Sequence, residues 1–133
     1  MKKWNRWKLA EEGYEISNCQ ITSADLSMRD HGVLDFSLCL EGQVCVIFGG
    51  YVIGHGYLGA KDFEGSPCGI EYIMRIMDVV GVESFNQLKG QTVRVAHKGL
   101  GSSVKIIGNI IKENWLDVES FFEDKKENDD DRY

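Results

Sequence analysis

A chain of 133 residues, 43% of them hydrophobic, suits one globular domain built around one core. Its formal charge of −6 is uneven, because residues 1–10 hold Lys2, Lys3, Arg6 and Lys8 and no acid while the rest is acidic. That balance argues against duplex nucleic acid as a partner. The lack of any long apolar run argues against a membrane span or secretory signal, so a cytoplasmic protein is expected.

Residues 1–13 read as a basic and aromatic arm, 14–122 as a single domain, and 123–133 as an acidic disordered tail. Trp4 and Trp7 in the arm are expected to dock on the body. Cys19, Cys39, Cys45 and Cys68 form no C-x-x-C pair and read as reduced, half-buried thiols.

From Tyr14 to Arg29, Ile16, Ile21, Thr22, Leu26 and Met28 predict one long strand or two short ones, followed by a turn at Asp30-His31-Gly32. Leu34, Phe36, Leu38 and Leu40 alternate with polar or small residues, the period of a strand with one face on the core. Glu41-Gly42 then reads as a two-residue hairpin loop, which places Leu38 opposite Cys45 and Phe36 opposite Ile47 on the core face. Val44, Val46 and Phe48 fall on the other face. A strand apolar on both sides is expected at the centre of a sheet, or in a small closed barrel.

Phe48 to Gly69 holds seven of the fifteen glycines and the only proline. Ser66-Pro67 marks a helix start, since Ser caps orphan N–H groups and Pro lacks a donor where none is needed. Ile70, Ile73, Met74, Met77 and Val80 predict the apolar face of that helix, and Gly81 its end. Val82, Phe85 and Leu88 add about one turn before Lys89-Gly90. Gln91 to His97 and Ser103 to Lys112 predict a second hairpin, with a bulge expected where Gly108 follows Ile106-Ile107. Asp117 is placed to cap a last short helix that holds Phe121 and Phe122 to the body.

The segments ITSADLSMRDHG, FGGYVIGHGYLGAKDFEGS, GIEYIMRIMDVVGVESFNQLKGQTVRV and IGNIIKENWLDVESFF span Ile21 to Phe122. Together they resemble a family of small, functionally uncharacterised proteins encoded in bacteriophages and prophages of Gram-positive bacteria. The resemblance implies an accessory role, of which blocking a host defence by binding its enzyme or sequestering a nucleotide signal is one form. It implies no activity and no site residues.

Gly54-His55-Gly56-Tyr57-Leu58-Gly59 matches G-x-G-x-x-G, but a dinucleotide fingerprint must open a helix inside a βαβ unit, and here the helix begins well beyond Gly59. The Walker pattern is absent. What remains is backbone able to adopt positive φ, with free N–H groups that suit an anion-binding nest. The candidate ligand-binding residues are Gly50, Tyr51, Gly54, His55, Gly56, Tyr57 and Lys61, with Tyr51, Tyr57 and Phe63 for stacking and His55 and Lys61 for phosphate. The alternative is that these glycines only make turns and the tyrosines only pack.

His31, His55 and His97 lie in or beside turns without ligand spacing, so no metal and no cofactor are expected. Asp62 with Glu64, and Ser66 or Cys68 with a histidine, are the incomplete catalytic sets. The resulting fold expectation is α+β, a mostly antiparallel five-stranded sheet or small barrel in the order β-β-β-α-β-β, with one main helix packed on it. The functional expectation is non-catalytic binding of a small phosphorylated ligand such as a nucleotide signal, or of a host protein, through residues 48–69. An acidic nucleic-acid mimic that inhibits a defence protein and a small hydrolase of nucleotide signals are the alternatives. The apolar strand and helix leave room for a homo-oligomer.

Overall fold

The 16-residue strand β1 (Glu15–Asp30) is the spine of the sheet. The computed structural model describes residues 1–30, 32–56, 62–99 and 103–128. The first half of β1 pairs antiparallel with β5 (Thr92–His97), Glu15 opposite His97, and its second half with β2 (Val33–Gly42), Leu26 opposite Phe36. β3 (Val46–His55) and β4 (Glu64–Gly65) extend one side, while β6 (Ile106–Asn109) and β7 (Trp115–Asp117) extend the other. The order is β4-β3-β2-β1-β5-β6-β7, all antiparallel.

The class is therefore α+β as expected, but the sheet has seven strands rather than five and is open rather than a closed barrel, since β4 and β7 are its two edges. The extra strands are two and three residues long, too short to carry a period of their own. Of the three helices, α2 (Pro67–Val80) is the expected main helix and α3 (Val118–Asn128) the expected last one, longer than predicted, while α1 (Arg6–Glu11) is additional.

The β2–β3 connection also differs from expectation. Glu41 and Gly42 are still strand, paired with Gln20 and Cys19 of β1, and the last β2–β3 pair is Leu40 with Val46. Gly42 is required there because a Cβ would lie 2.4 Å from the Asn18 carbonyl oxygen, so strand proximity and not a turn selects it. The longer connection moves the register by an odd number of residues, which exchanges the faces of β3. Phe48 opposes Leu38 in the core, and Ile47 is 74% exposed. β3 is not central either, since only the short β4 lies beyond it. At Gly108 no bulge forms: Arg94 pairs with Gly108 and Val95 with Ile107 in regular register. A Cβ on Gly108 would lie 2.4 Å from the Trp115 ring, which explains the glycine.

Two cores use the two faces of the sheet. Val93, Val95 and Ile107 join Phe36, Leu38, Phe48, Tyr72 and Phe121 under α2 and α3. Ala96, Ile106 and Trp115 face the other way and pack on Leu9 of α1, with Trp4, Tyr14 and Ile16 around them. Consecutive buried residues in β6 are thus shared between two layers.

The N-terminal arm folds as α1, capped by the Asn5 side chain on the Lys8 N–H. Trp4 docks edge-on to Tyr14 and donates its Nε1–H to Asp117 at 2.9 Å, whereas Trp7 stays exposed under the Arg6 guanidinium. The Met1 ammonium is ion-paired with Asp124.

α2 starts and stops where the sequence says. Ser66 accepts the Gly69 N–H, Pro67 takes the first helical position, and Gly81 closes the helix at φ 87°. Its buried face is rotated from the expected one. Tyr72, Ile76, Val79 and Val80 are inside, while Ile70 and Met74 are 57% and 62% exposed. The seat is set by Gly69, which lies directly on Ile53.

Beneath α2, Tyr72 is fully buried among Phe36, Tyr51 and Phe122, and its hydroxyl finds no hydrogen-bond partner among the described residues. Burial raises its ionisation well above the ordinary tyrosine range. The hydroxyl sits over Gly49, whose φ is 104° and where a Cβ would lie 2.5 Å from it. Removing an unsatisfied buried hydroxyl recovers its desolvation cost, so Tyr72→Phe should raise stability by about 1 kcal/mol in urea denaturation. A loss of stability would mean that the hydroxyl is satisfied.

Candidate functional site

Where the end of β3 meets α2 and α3, a groove of about 450 Å³ opens. Tyr51, Val52, Gly54 and His55 of β3 form one side, with Ser66 and Cys68 at the start of α2. Phe122, Lys125 and Lys126 of α3 form the other. Tyr51 and Phe122 are stacked, 4.6 Å between centroids and 26° between planes. Their shared burial raises the Tyr51 phenol. The groove thus has an aromatic floor and cations on its rim.

Lys125 is held across the rim by Glu71 of α2 at 2.8 Å, and Glu71 also takes Arg75 Nε at 2.7 Å. These hydrogen bonds from Lys125 and Arg75 hold the Glu71 carboxyl below its usual range. Lys126 bonds no acid among the described residues. Glu64 is the groove's own acid.

Of the residues expected from sequence, Tyr51, Gly54 and His55 line this groove. Gly50 is exposed, at φ 82° in an irregular part of β3, and does not line it. Gly56 is shut against the Phe63 ring, 2.3 Å from where its Cβ would be. Tyr57 and Lys61 lie outside the described residues. The expected nest of free N–H groups is not formed at Gly54 or Gly56. Gly54 is a ladder residue between Leu34 and Gly65, and the Gly56 N–H donates to the Gly32 carbonyl at 2.7 Å. Tyr51 spends one ring face on Phe122, and Phe63 is 62% exposed.

Phe122, Lys125 and Lys126 are what sequence reasoning missed as site residues. Residues 123–128 continue α3 where a disordered tail is expected. The signal was present, since positions 122, 125 and 126 share one helical face once the turn capped by Asp117 is carried forward.

A second polar cluster lies away from the groove. Ser17 and His97, both buried, meet at 2.8 Å through Oγ and Nε2, and Glu15 Oε2 lies 3.9 Å from Nδ1. The set resembles a nucleophile, base and orienter. However, the Gly99 N–H points at Nδ1 at 3.4 Å, a geometry that favours the tautomer with its proton on Nε2. Nε2 then donates to Ser17, the reverse of what activating the hydroxyl requires. The cluster ties β1 to β5.

All four cysteines are free; Cys19 is buried, Cys45 exposed, and Cys39 and Cys68 intermediate. Burial raises the Cys19 thiol. Among the described residues no three metal-binding side chains gather. Nor is any described helix long and apolar enough to cross a membrane. No family model, no curated protein and no solved structure matches the chain.

Proposed function

We propose that the protein is a non-catalytic binding protein of the accessory kind that its resemblance to phage and prophage proteins implies. Its ligand is a small phosphorylated molecule such as a nucleotide signal. The observation that carries the reading is the placement of Lys125 and Lys126 over an aromatic-floored groove at the Gly54-His55 end of β3. A planar, apolar moiety suits Tyr51 and Phe122, and a phosphate suits the lysines and His55. The start of α2 contributes little to anion binding, because Pro67 has no N–H and the Gly69 N–H is taken by Ser66.

The test is a panel of mono-, di- and cyclic nucleotides titrated into the purified protein, followed by denaturation and chromatography of what was bound. Binding with intact release is expected. A Lys125→Ala/Lys126→Ala variant should lose about tenfold or more in affinity while unfolding at nearly the same temperature. Cleaved product would indicate a hydrolase, and no binding to any member would remove the ligand reading.

A further inference from the structure

The N-terminal arm presents a basic and aromatic face that the groove does not use. α1 is six residues long, too short to hold its shape alone, and is fixed by what surrounds it. Asn5 caps its start, Leu9 is fully buried against the sheet, and Trp4 packs on Tyr14. Of the arm's two tryptophans, one is thus packed and the other is left outside. Trp7 is 59% exposed although the Arg6 guanidinium already lies 4.6 Å from its ring centroid. With a cation over one face, the other face of the ring is the part left to water.

The cations around Trp7 hold no acid. Lys3, Arg6 and Lys8 are exposed, and none is ion-paired among the described residues. Glu11 and Glu12, the acids nearest in sequence, pair with none of them. Glu113 accepts the Arg6 backbone N–H, and otherwise holds Arg94 and Trp115 rather than an arm side chain. A positive patch around one open ring therefore stands on a protein whose remainder is acidic.

We infer that this face binds single-stranded nucleic acid: an unpaired base stacks on the open face of Trp7, and the phosphates beside it meet Lys3, Arg6 and Lys8. Aromatic stacking flanked by cations is how proteins hold single strands without reading sequence. A duplex keeps its bases inside the stack and carries a double row of phosphates past the acidic body, so it offers Trp7 no plane and meets repulsion. An acidic peptide supplies carboxylates but nothing flat for the ring. A membrane surface is matched by a helix with a broad apolar face, whereas α1 turns Leu9 inward and leaves Trp7 as its one large apolar side chain outside. α1 covers the sheet face opposite α2 and α3, so the site stands whether or not a nucleotide occupies the groove.

The probe is a dye-labelled single-stranded oligonucleotide of about 12 nucleotides, titrated into the full chain at low salt and read by anisotropy. Stacking should also quench the tryptophan emission of the unaltered protein. Three cation contacts predict a log–log salt slope of about −2, so an about fourfold rise in salt should weaken binding about 16-fold. Trp7→Ala should weaken binding about tenfold and Trp7→Phe less, both unfolding near the parent's temperature. Arg6→Ala/Lys8→Ala should flatten the salt slope to about −0.7, and a duplex of the same sequence should bind about tenfold more weakly than the single strand. No binding at low salt, binding without quenching, unchanged binding by Trp7→Ala, or a duplex bound as tightly overturns the proposal. So does equally tight binding of a polyglutamate peptide or of phosphatidylserine vesicles, which would make the patch a general anion surface.

Discussion

Gly69→Val is expected to lower stability by about 3 kcal/mol, read as a lower urea midpoint with an unchanged slope. A Cβ at this position would lie 2.4 Å from Ile53 Cβ, 2.8 Å from its Cγ2 and 3.0 Å from its Cα. The last of these is backbone in the sheet and cannot swing away. α2 would have to lift from β3, and with it Tyr72 and Ile76, both fully buried. Helix propensity alone predicts the opposite sign, because glycine is a poor helix former. The measured sign therefore separates seating from propensity. Ile53→Ala should relieve part of the loss in the Gly69→Val background, giving strong non-additivity between neighbours. A variant as stable as the parent would show that α2 does not seat on Ile53.

Arg94→Ala should cost about as much, roughly 3 kcal/mol, because one buried guanidinium makes several charge-assisted hydrogen bonds at once. Arg94 is 9% exposed and donates Nε to the Asn109 carbonyl at 2.7 Å. Its Nη2 reaches the Lys112 carbonyl at 2.7 Å and Glu113 at 3.0 Å, and the guanidinium lies 4.6 Å from the Trp115 ring centroid. A single side chain thus gathers the β6–β7 connection onto the sheet. Lysine keeps the charge but not the fork, so Arg94→Lys should retain only part of the stability. Amide exchange across residues 109–113 should accelerate in both variants. If exchange there stays at wild-type rates, the carbonyls are held by something else.

Glycines chosen by contact explain most of what the sequence did not disclose. Ser66-Pro67, Gly81 and Asp117 announce helix ends through local chemistry, and the structure has caps at each. Gly42, Gly69 and Gly108 carry no such local message. Each is small because a carbonyl, an isoleucine or a tryptophan from elsewhere in the chain comes within 2.4 Å of its missing Cβ. Reading Gly42 as a turn residue reversed the faces of β3, and treating the α2 stripe without Gly69 rotated the helix. Such errors are tertiary, and no local period corrects them.

The candidate site divides in the same way. Tyr51, Gly54 and His55 were legible because a glycine-rich crossing beside aromatics stands out in composition. Lys125 and Lys126 were not, because a charge-rich run reads as solvated tail until something is found for it to cover. What it covers is the Tyr51 side of β3, far away in sequence. The expected anion nest failed because its glycines spend their backbone groups on neighbouring strands.

The contact between Met1 and Asp124 brings the beginning of the chain to its last helix, and the Lys2 N–H adds a bond to Ser120 at 2.6 Å. The N-terminal arm is therefore clasped by the last helix. With Trp4 bonded to Asp117 as well, the arm and α3 hold each other in place across almost the whole described sequence, so loosening either one loosens the other.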